Sequence, residues 1–348
     1  MREGWKYVSF EKSINKVKKQ KSVKSKDYKE KGIYPIVSQE SALISGYCDD
    51  ESLLFRHSNP IVIFGDHTKN IKYIDFDFVV GADGVHILSP IEIIFPKFFY
   101  YQLCSVKLRN LGYARHYKLL KQSFIAIPPL YEQERIVSLL DLEFAKIDAI
   151  KANAEKQLQD AKDLFQSALK DLLTPKEGWE NIKLVEEFDL KSGDYLPSKE
   201  QKDGCVPVYG GNGIAGYHDI SNISGEQIII GRVGALCGNI HYTIGDVWVT
   251  DNAFIVKNIS TEWNRGYLKY VLEYLDLNQY ATQSAQPVIS NKSMKEVNLF
   301  KPSIDEQIII FRKIELIQLR YLQLESNIKK TITLCNDLKQ SILKDIFG

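Results

Sequence analysis

The sequence predicts an α+β protein: two mixed α/β domains and two long antiparallel coiled-coil helices, related by an internal two-fold repeat. Three observations predict it. The chain resembles itself at an offset of 174 residues. Each copy opens with about 130 residues of short β-rich runs broken by Gly, Asn and Asp turns. Each copy closes with about 44 residues that hold no Gly and no internal Pro.

The repeat is anchored at both ends. Gly4-Trp5 returns as Gly178-Trp179, and Pro128-Pro-Leu-Tyr-Glu-Gln133 returns as Pro302-Ser-Ile-Asp-Glu-Gln307. Lys118 and Lys121 return as Lys292 and Lys295. Between the anchors the match drifts by a few residues, as loops of unequal length require. Gly46-Tyr47 answers to Gly216-Tyr217, Ile63-Phe-Gly-Asp66 to Ile229-Ile-Gly-Arg232, and Phe98-Phe-Tyr-Tyr101 to Tyr267-Leu-Lys-Tyr270. The repeat places one domain at 1–130, a helix at 131–174, a second domain at 175–302 and a second helix at 303–348. The apolar runs Ile61-Val-Ile-Phe64, Ile228-Ile-Ile230 and Trp248-Val249 read as strands.

Each helix carries columns spaced by seven. Leu140, Ile147, Ala154, Ala161 and Ala168 form one, and Phe144, Leu158, Phe165 and Leu172 another, with Lys151 interrupting it. In the second helix the columns are Ile314, Tyr321, Ile328, Cys335 and Ile342, then Ile317, Leu324 and Leu338. Paired seams of this period predict a coiled coil, with each helix roughly 60 Å long at 1.5 Å per residue. The chain must re-enter a domain after the first helix, so an antiparallel pair is expected. By themselves such helices read equally as a dimerisation rod.

Composition narrows the class. The charged fraction is 26% and the hydrophobic fraction 44%, ordinary values for a soluble globular chain. No apolar run approaches the roughly 20 residues of a membrane span, and the start has no apolar signal region. Five scattered cysteines, without a C-x-x-C pair, suit a reducing cytoplasm. Cys237 and His241 have a metal-like spacing but no second ligand pair. The net charge of +1 hides an asymmetry. Residues 1–130 hold 20 Lys/Arg against 13 Asp/Glu, and residues 175–300 hold 11 against 16. The first domain can attract phosphate, while the second needs a small local basic face.

Several catalytic patterns fail on inspection. Gly211-Asn-Gly213-Ile-Ala-Gly216 fits G-x-G-x-x-G, but no helical pattern follows to meet a pyrophosphate, so it reads as a glycine-rich loop. Ile127-Pro-Pro-Leu130 lacks the Asn/Asp and the aromatic of an amino-methyltransferase motif. There is no Walker A loop. Asp160-Ala-Lys162 lies inside a helix of alternating charge and reads as a solvated face.

Taken together, Pro128-Pro-Leu-Tyr-Glu-Gln-Glu-Arg-Ile136, its degenerate copy from Pro302 to Ile310, Gly178-Trp179 and Gly231-Arg-Val-Gly-Ala235 resemble the specificity subunits of type I restriction–modification systems. The resemblance covers the whole chain in the family's order: target-recognition domain, spacer helix, target-recognition domain, spacer helix. The second copy lacks a counterpart of Arg135. The resemblance implies that each domain reads one half of a split, asymmetric site in double-stranded DNA, and that the helices set the gap. It implies two methylation subunits and restriction–translocase subunits as partners, which carry S-adenosylmethionine, ATP and Mg; this chain would hold no cofactor, metal or catalytic residue. The different-class alternative is a coiled-coil scaffold with two β-rich binding heads, which the near-neutral charge also suits.

In the first domain Lys18, Lys19, Lys21 and Lys24 read equally as phosphate contacts or as a solvated basic loop. Arg109, Arg115, His116 and Lys118 lie just before the Pro-Pro element and suit base edges or phosphates. In the second domain the candidates are Asn212, Tyr217, Arg232, Gln283, Gln286, Asn291 and Lys292. Gln and Asn suit adenine, and Arg suits guanine; for Arg232 a structural salt bridge is the equal alternative. Glu132, Gln133, Arg135, Glu306 and Gln307 sit at the helix starts, where they cap the helices, dock the methylation subunits, or both.

Overall fold

The computed structural model describes residues 4–18, 20–109, 112 and 114–348. Lys19, one of the candidate phosphate contacts, lies outside the described residues. The chain divides into two units, residues 1–155 with 329–348 and residues 156–328.

The first unit is built on a buried strand. Ile61–Gly65 is shielded at all five positions, which is why it reads as an unbroken apolar run. It pairs antiparallel with Ile71–Ile74 on one side and Val85–Pro90 on the other, and Ile14–Asn15 extends the sheet beyond Val85–Pro90. A second sheet takes Gly46–Cys48, Tyr34–Val37, Phe78–Val80 and Leu54–Phe55 in that order, with Ile36 and Val79 in a parallel pair. Helix α1 (Pro96–Ser105) opens on a proline at its first turn and buries Phe98 and Phe99 completely. These rings meet Phe10, Phe64 and Leu88 in one core. Truncating either ring to Ala would cost about 3–5 kcal/mol.

The second unit repeats the plan with one strand fewer. Asp189–Ser192, Ala253–Lys257, Gln227–Gly231 and Ile240–Thr243 form the larger sheet, in that order. Gly213–His218, Val206–Gly210 and Trp248–Val249 form the smaller one, and Val208 again has a parallel partner, Trp248. Helix α3 (Arg265–Tyr274) starts at Asn264, whose side chain accepts from the Tyr267 amide at 2.8 Å. Its Tyr267 and Leu268 enter a core with Trp263, Ile230 and Phe254.

Each domain is closed by a two-stranded clasp between its entry and its exit. Lys6–Ser9 pairs with Phe124–Ile127, and Glu180–Lys183 pairs with Asn298–Lys301. The registers coincide under the 174-residue offset, since Lys6 faces Ile127 and Glu180 faces Lys301. The clasp delivers the chain to a long helix in both copies: α2 (Leu130–Leu173) and α4 (Ile304–Phe347), 44 residues each.

The long helices pair antiparallel inside each unit. In the first, Lys339 bonds Asp148 at 2.5 Å and Lys151 donates to Asn336 at 3.2 Å. In the second, Phe165 stacks on Tyr321 with ring centres 4.9 Å apart. The α2 seam is the expected one: Leu140, Ile147 and Ala154 are buried, and Phe144, Lys151, Leu158 and Phe165 are half-buried. On α4 the column from Ile314 to Ile342 also faces inward, but the second column does not follow the sequence reading. Leu324 and Leu338 are exposed, and Gln318, Glu325, Ile332 and Lys339 occupy the seam. Polar groups are admitted there because they find partners: Tyr270 donates to Gln318, Tyr321 to Glu325, and Lys339 to Asp148.

Candidate nucleic-acid interface

The two copies share a backbone frame, and its most repeated feature is a buried glutamine. Gln133 is fully buried at the start of α2. Its Oε1 accepts from the Phe95 amide at 2.7 Å, and its Nε2 donates to the Ile93 and Pro128 carbonyls at 2.9 Å each. Gln307 does the same in the second copy, accepting from Asn264 N at 2.9 Å and donating to the Glu262 and Pro302 carbonyls at 3.0 and 2.9 Å. Three backbone groups that the loop would leave unpaired are thus satisfied by one amide. This corrects the reading of Gln133 and Gln307 as docking residues, because neither has surface to offer. Glu132 and Arg135 do stay at the surface, joined by two hydrogen bonds of 2.7 and 2.8 Å. Glu306 accepts from the Trp179 indole at 3.2 Å, which ties the Gly-Trp of the second copy to the start of its long helix.

Above this frame the two domains diverge at one corresponding position. Gly65 faces Val85 in the first unit and Gly231 faces Ala253 in the second. The next residues are Asp66 and Arg232, and the facing strands then offer His86 and Phe254. In both, the main-chain carbonyl accepts from the returning loop at 2.8 Å, from His116 N to Asp66 and from Ile289 N to Arg232. The frame is common and the charge is opposite.

Asp66 is 4% exposed. Its Oδ1 accepts from the Tyr117 amide at 2.8 Å, and its Oδ2 lies 3.3 Å from His86 Nε2 and 3.9 Å from Arg115 Nε. Burial pushes this carboxyl up, but the Tyr117 amide and the neighbouring His86 and His67 outweigh burial and hold it below the ordinary aspartate range. The His86 ring stacks on Tyr117 at 3.8 Å, which fixes its plane. Arg115 is 80% exposed and reaches outward from this carboxylate. His116 is fully buried, with Nδ1 3.0 Å from the Asp66 carbonyl, so the expectation that it meets base edges is corrected. Arg109 and Lys118 are exposed. Lys18, Lys21 and Lys24 are exposed as well, but the bonds of their segment lead elsewhere, through Val23 N to Val80 O at 3.0 Å.

Arg232 lies over the Phe254 ring at 4.5 Å and donates from Nη1 to Ser192 Oγ at 3.1 Å. Among the described residues no carboxylate pairs with it, so the salt-bridge alternative falls away, and its Nε is buried without a partner. Two loops flank it. On one side, Gly210 to Gly213 form a tight hairpin turn that presents Asn212. Gly211 there approaches the Val233 carbonyl so closely that a Cβ would sit 2.3 Å from it, and Gly213 has φ +99°. The glycine-rich segment is therefore a hairpin with a strand after it, not an open loop, because those glycines permit a two-residue turn. Tyr217, 54% exposed, projects from that strand. On the other side Gly234 N donates to Pro287 O at 2.9 Å, which brings in the loop of Gln283 and Gln286. Both glutamines are exposed, as are Asn291 and Lys292 on the turn that follows Ile289.

The structure thus gathers Asn212, Arg232, Gln283 and Gln286 around one short segment, and Arg115 beside Asp66. Sequence reading missed Asp66 and His86 as a pair, because only strand register brings them together. Among the described residues no group of three or more His, Cys, Asp or Glu could hold a metal ion. Cys237 is tied to Asn278, and His241 packs beside Tyr209 at 5.6 Å. No helix among the described residues is long and apolar enough to cross a membrane.

Comparison with known proteins gives concordant results. The family model for the type I restriction modification DNA specificity domain matches residues 2–160 and again 176–334. The specificity subunit of the type I restriction enzyme EcoprrI of Escherichia coli is 35% identical over 135 residues, 36% of this chain and 33% of that protein. That of EcoR124I/EcoR124II, also of Escherichia coli, is 26% identical over 202 residues, 53% of this chain and 49% of that one. The chain therefore spans about a third and about half of the length of these two relatives. A solved chain from a study of complex assembly and conformational transition in a type I R-M system superposes with a TM-score of 0.74 at 18% identity, covering 99% of this chain and 98% of that one. The HsdS subunit of Thermoanaerobacter tengcongensis superposes at 0.54 with 19% identity, covering 100% and 97%. These two likenesses show the fold.

Proposed function

This chain belongs to the type I restriction modification DNA specificity family, and from that premise we propose that it is the non-catalytic subunit that reads DNA for a type I restriction–modification complex. Each domain reads one half of a bipartite, asymmetric site in double-stranded DNA. The paired long helices set the gap and, with exposed Arg135 and half-buried Glu132 and Glu306, dock two methylation subunits. Restriction–translocase subunits complete the assembly in the cytoplasm. S-adenosylmethionine, ATP and Mg belong to those partners.

The observation that supports this reading best is the charge reversal at one shared position. Asp66 beside Arg115 and His86, and Arg232 beside Asn212, Gln283 and Gln286, occupy the same place on the same frame. A recognition module needs this combination: a constant scaffold and a variable chemical surface. Arg232 suits the paired acceptors of guanine, and the amides suit adenine. Methylation of adenine in each half would follow from the partners.

The test is a genome-wide map of N6-methyladenine in cells with and without the gene, with partner genes intact. A split, asymmetric motif that vanishes on deletion is expected. An unchanged map, with partners expressed and active, would overturn the reading in favour of a coiled-coil scaffold.

A further inference from the structure

The second domain carries a net acidic charge, yet one groove in it gathers cations. We propose that the groove of about 640 Å³ between strand Asp189–Ser192, the end of strand Ala253–Lys257 and the turn at 291–295 binds a phosphate of the DNA backbone, held by Lys191, Lys257 and Lys295. The inference rests on the DNA-reading function proposed above and gives it a phosphate contact in the domain that lacks charge.

The convergence of three ammonium groups on one groove carries the argument, since lysines elsewhere in the domain, such as Lys199 and Lys292, also lack a carboxylate partner among the described residues but stand apart from it. In this domain Lys202 is near Asp219, Lys269 near Glu273, and Lys301 near both Glu187 and Glu262, all within 4 Å. Among the described residues no carboxylate pairs with Lys191, Lys257 or Lys295, although acidic groups are in excess. The one carboxylate on the groove wall, Asp189, is engaged by the Asn258 amide. The floor is apolar, with Phe188 buried, so Asp189 is the one anion among the groove's lining against three ammonium groups and the groove keeps a net positive charge. Burial, then repulsion from Lys191 and Arg265, holds the Lys257 ammonium below its ordinary range, a cost that an incoming anion relieves.

The place also fits. Asn291, on the rim, lies two residues beyond Ile289, whose amide bonds the Arg232 carbonyl at 2.8 Å. The groove is therefore continuous in the chain with the Arg232 corner. Phosphate contacts beside a base-reading residue set its register without adding sequence information. The first domain has no copy of the cluster. Strand register sets Ser89 opposite Asn15 where the second domain has Lys257 opposite Asp189. Val17 stands for Lys191, and Lys121, for Lys295, is 3.0 Å from Glu11. That domain, rich in Lys elsewhere, has no need of it.

The experiment measures DNA affinity of the complex with its methylation subunits at several salt concentrations, for wild type and for K191Q/K257Q/K295Q. The expected result is binding weakened at least about tenfold, a log–log salt slope shallower by about 1, as for one phosphate neutralised, and an unchanged preference among DNA sequences. The charge-keeping K191R/K257R/K295R should restore both, and a matching thermal transition guards against misfolding. An unchanged slope in a complex whose wild type binds its site overturns the groove and leaves the DNA-reading function standing. Loss of the methylation subunits from the triple variant, with DNA affinity per assembled complex intact, also overturns it and makes the groove a protein contact. A wild-type complex with no salt-dependent DNA binding overturns both.

Discussion

Gln133 holds the amide of Phe95 at 2.7 Å, and through this single bond the start of a 44-residue helix is tied to the start of a ten-residue one. Gln307 and Asn264 are the same pair in the second copy. Replacing Gln307 with Leu keeps the volume and strands three backbone groups. The expected loss is about 2–4 kcal/mol of stability, read from the urea transition of the full chain. A change below about 0.5 kcal/mol would show that the amide is not what fixes the helix.

Arg115 is exposed and backed by Asp66, so its guanidinium is free to meet DNA. Replacing it with Ala should weaken binding of the assembled complex by about 1–3 kcal/mol if it meets a base edge, and relax preference in the first half-site alone. Competition with DNAs altered in one half at a time measures this. Equal weakening on every sequence would make Arg115 a phosphate contact instead.

Arg232 should behave in the same way toward the second half. Its position depends on stacking over Phe254 and on one bond to Ser192. Arg232→Lys keeps the charge but gives up the planar stack and the fork of donors, so it should not rescue the preference that Arg232→Ala loses. Full rescue by Lys, in the same competition assay, would mean that charge alone is read.

Asp66 gives the protein a pH dependence of known sign. Its folded pKa lies below the unfolded value, so its contribution is fully present above the unfolded range, about 3.9, and is lost as pH falls through the lower folded value. Wild type should therefore exceed Asp66→Asn in stability at neutral pH, and the gap should close in acid. Urea titrations of both proteins between neutral pH and about pH 3 would reveal a constant gap if another group were responsible.

The seam of α4 offers a contrast within one helix. Ile314 is buried and Leu338 is half exposed. Ile314→Asp should lower stability by several kcal/mol, on the order of an unpaired buried charge, and Leu338→Asp by less than about 1. Equal losses in thermal unfolding would restore the column of Ile317, Leu324 and Leu338 to the seam.

That column shows where sequence reading ends. The long helices and the clasps were legible because seven-residue spacing, the absence of Gly, and the 174-residue offset are properties of the chain itself. Two columns of leucine and isoleucine, however, suit the same helix surface equally. Which one turns inward depends on whether Gln318 and Lys339 find partners, and those partners are far away in sequence. The candidate site follows the same division. Arg232, Asn212 and Gln286 stood out by residue type in turn-rich segments. Asp66 with His86, and Lys191 with Lys257 and Lys295, required strand register to bring them together. Gln133 and Gln307 were found by their motif with capping and docking both open; burial removes docking, and the pattern alone does not reveal which backbone groups lie within reach.

Residues 329–348 belong to the same unit as residues 1–155, where Leu343 enters the core and Phe347 meets Phe98 at 5.3 Å. The order of synthesis is therefore the reverse of the order of completion. The second domain emerges from the ribosome while the first still lacks part of its interior, and Phe98 waits for a helix translated more than 200 residues later. A stop codon within 329–348 would spare residues 156–328 and strike the domain encoded before them.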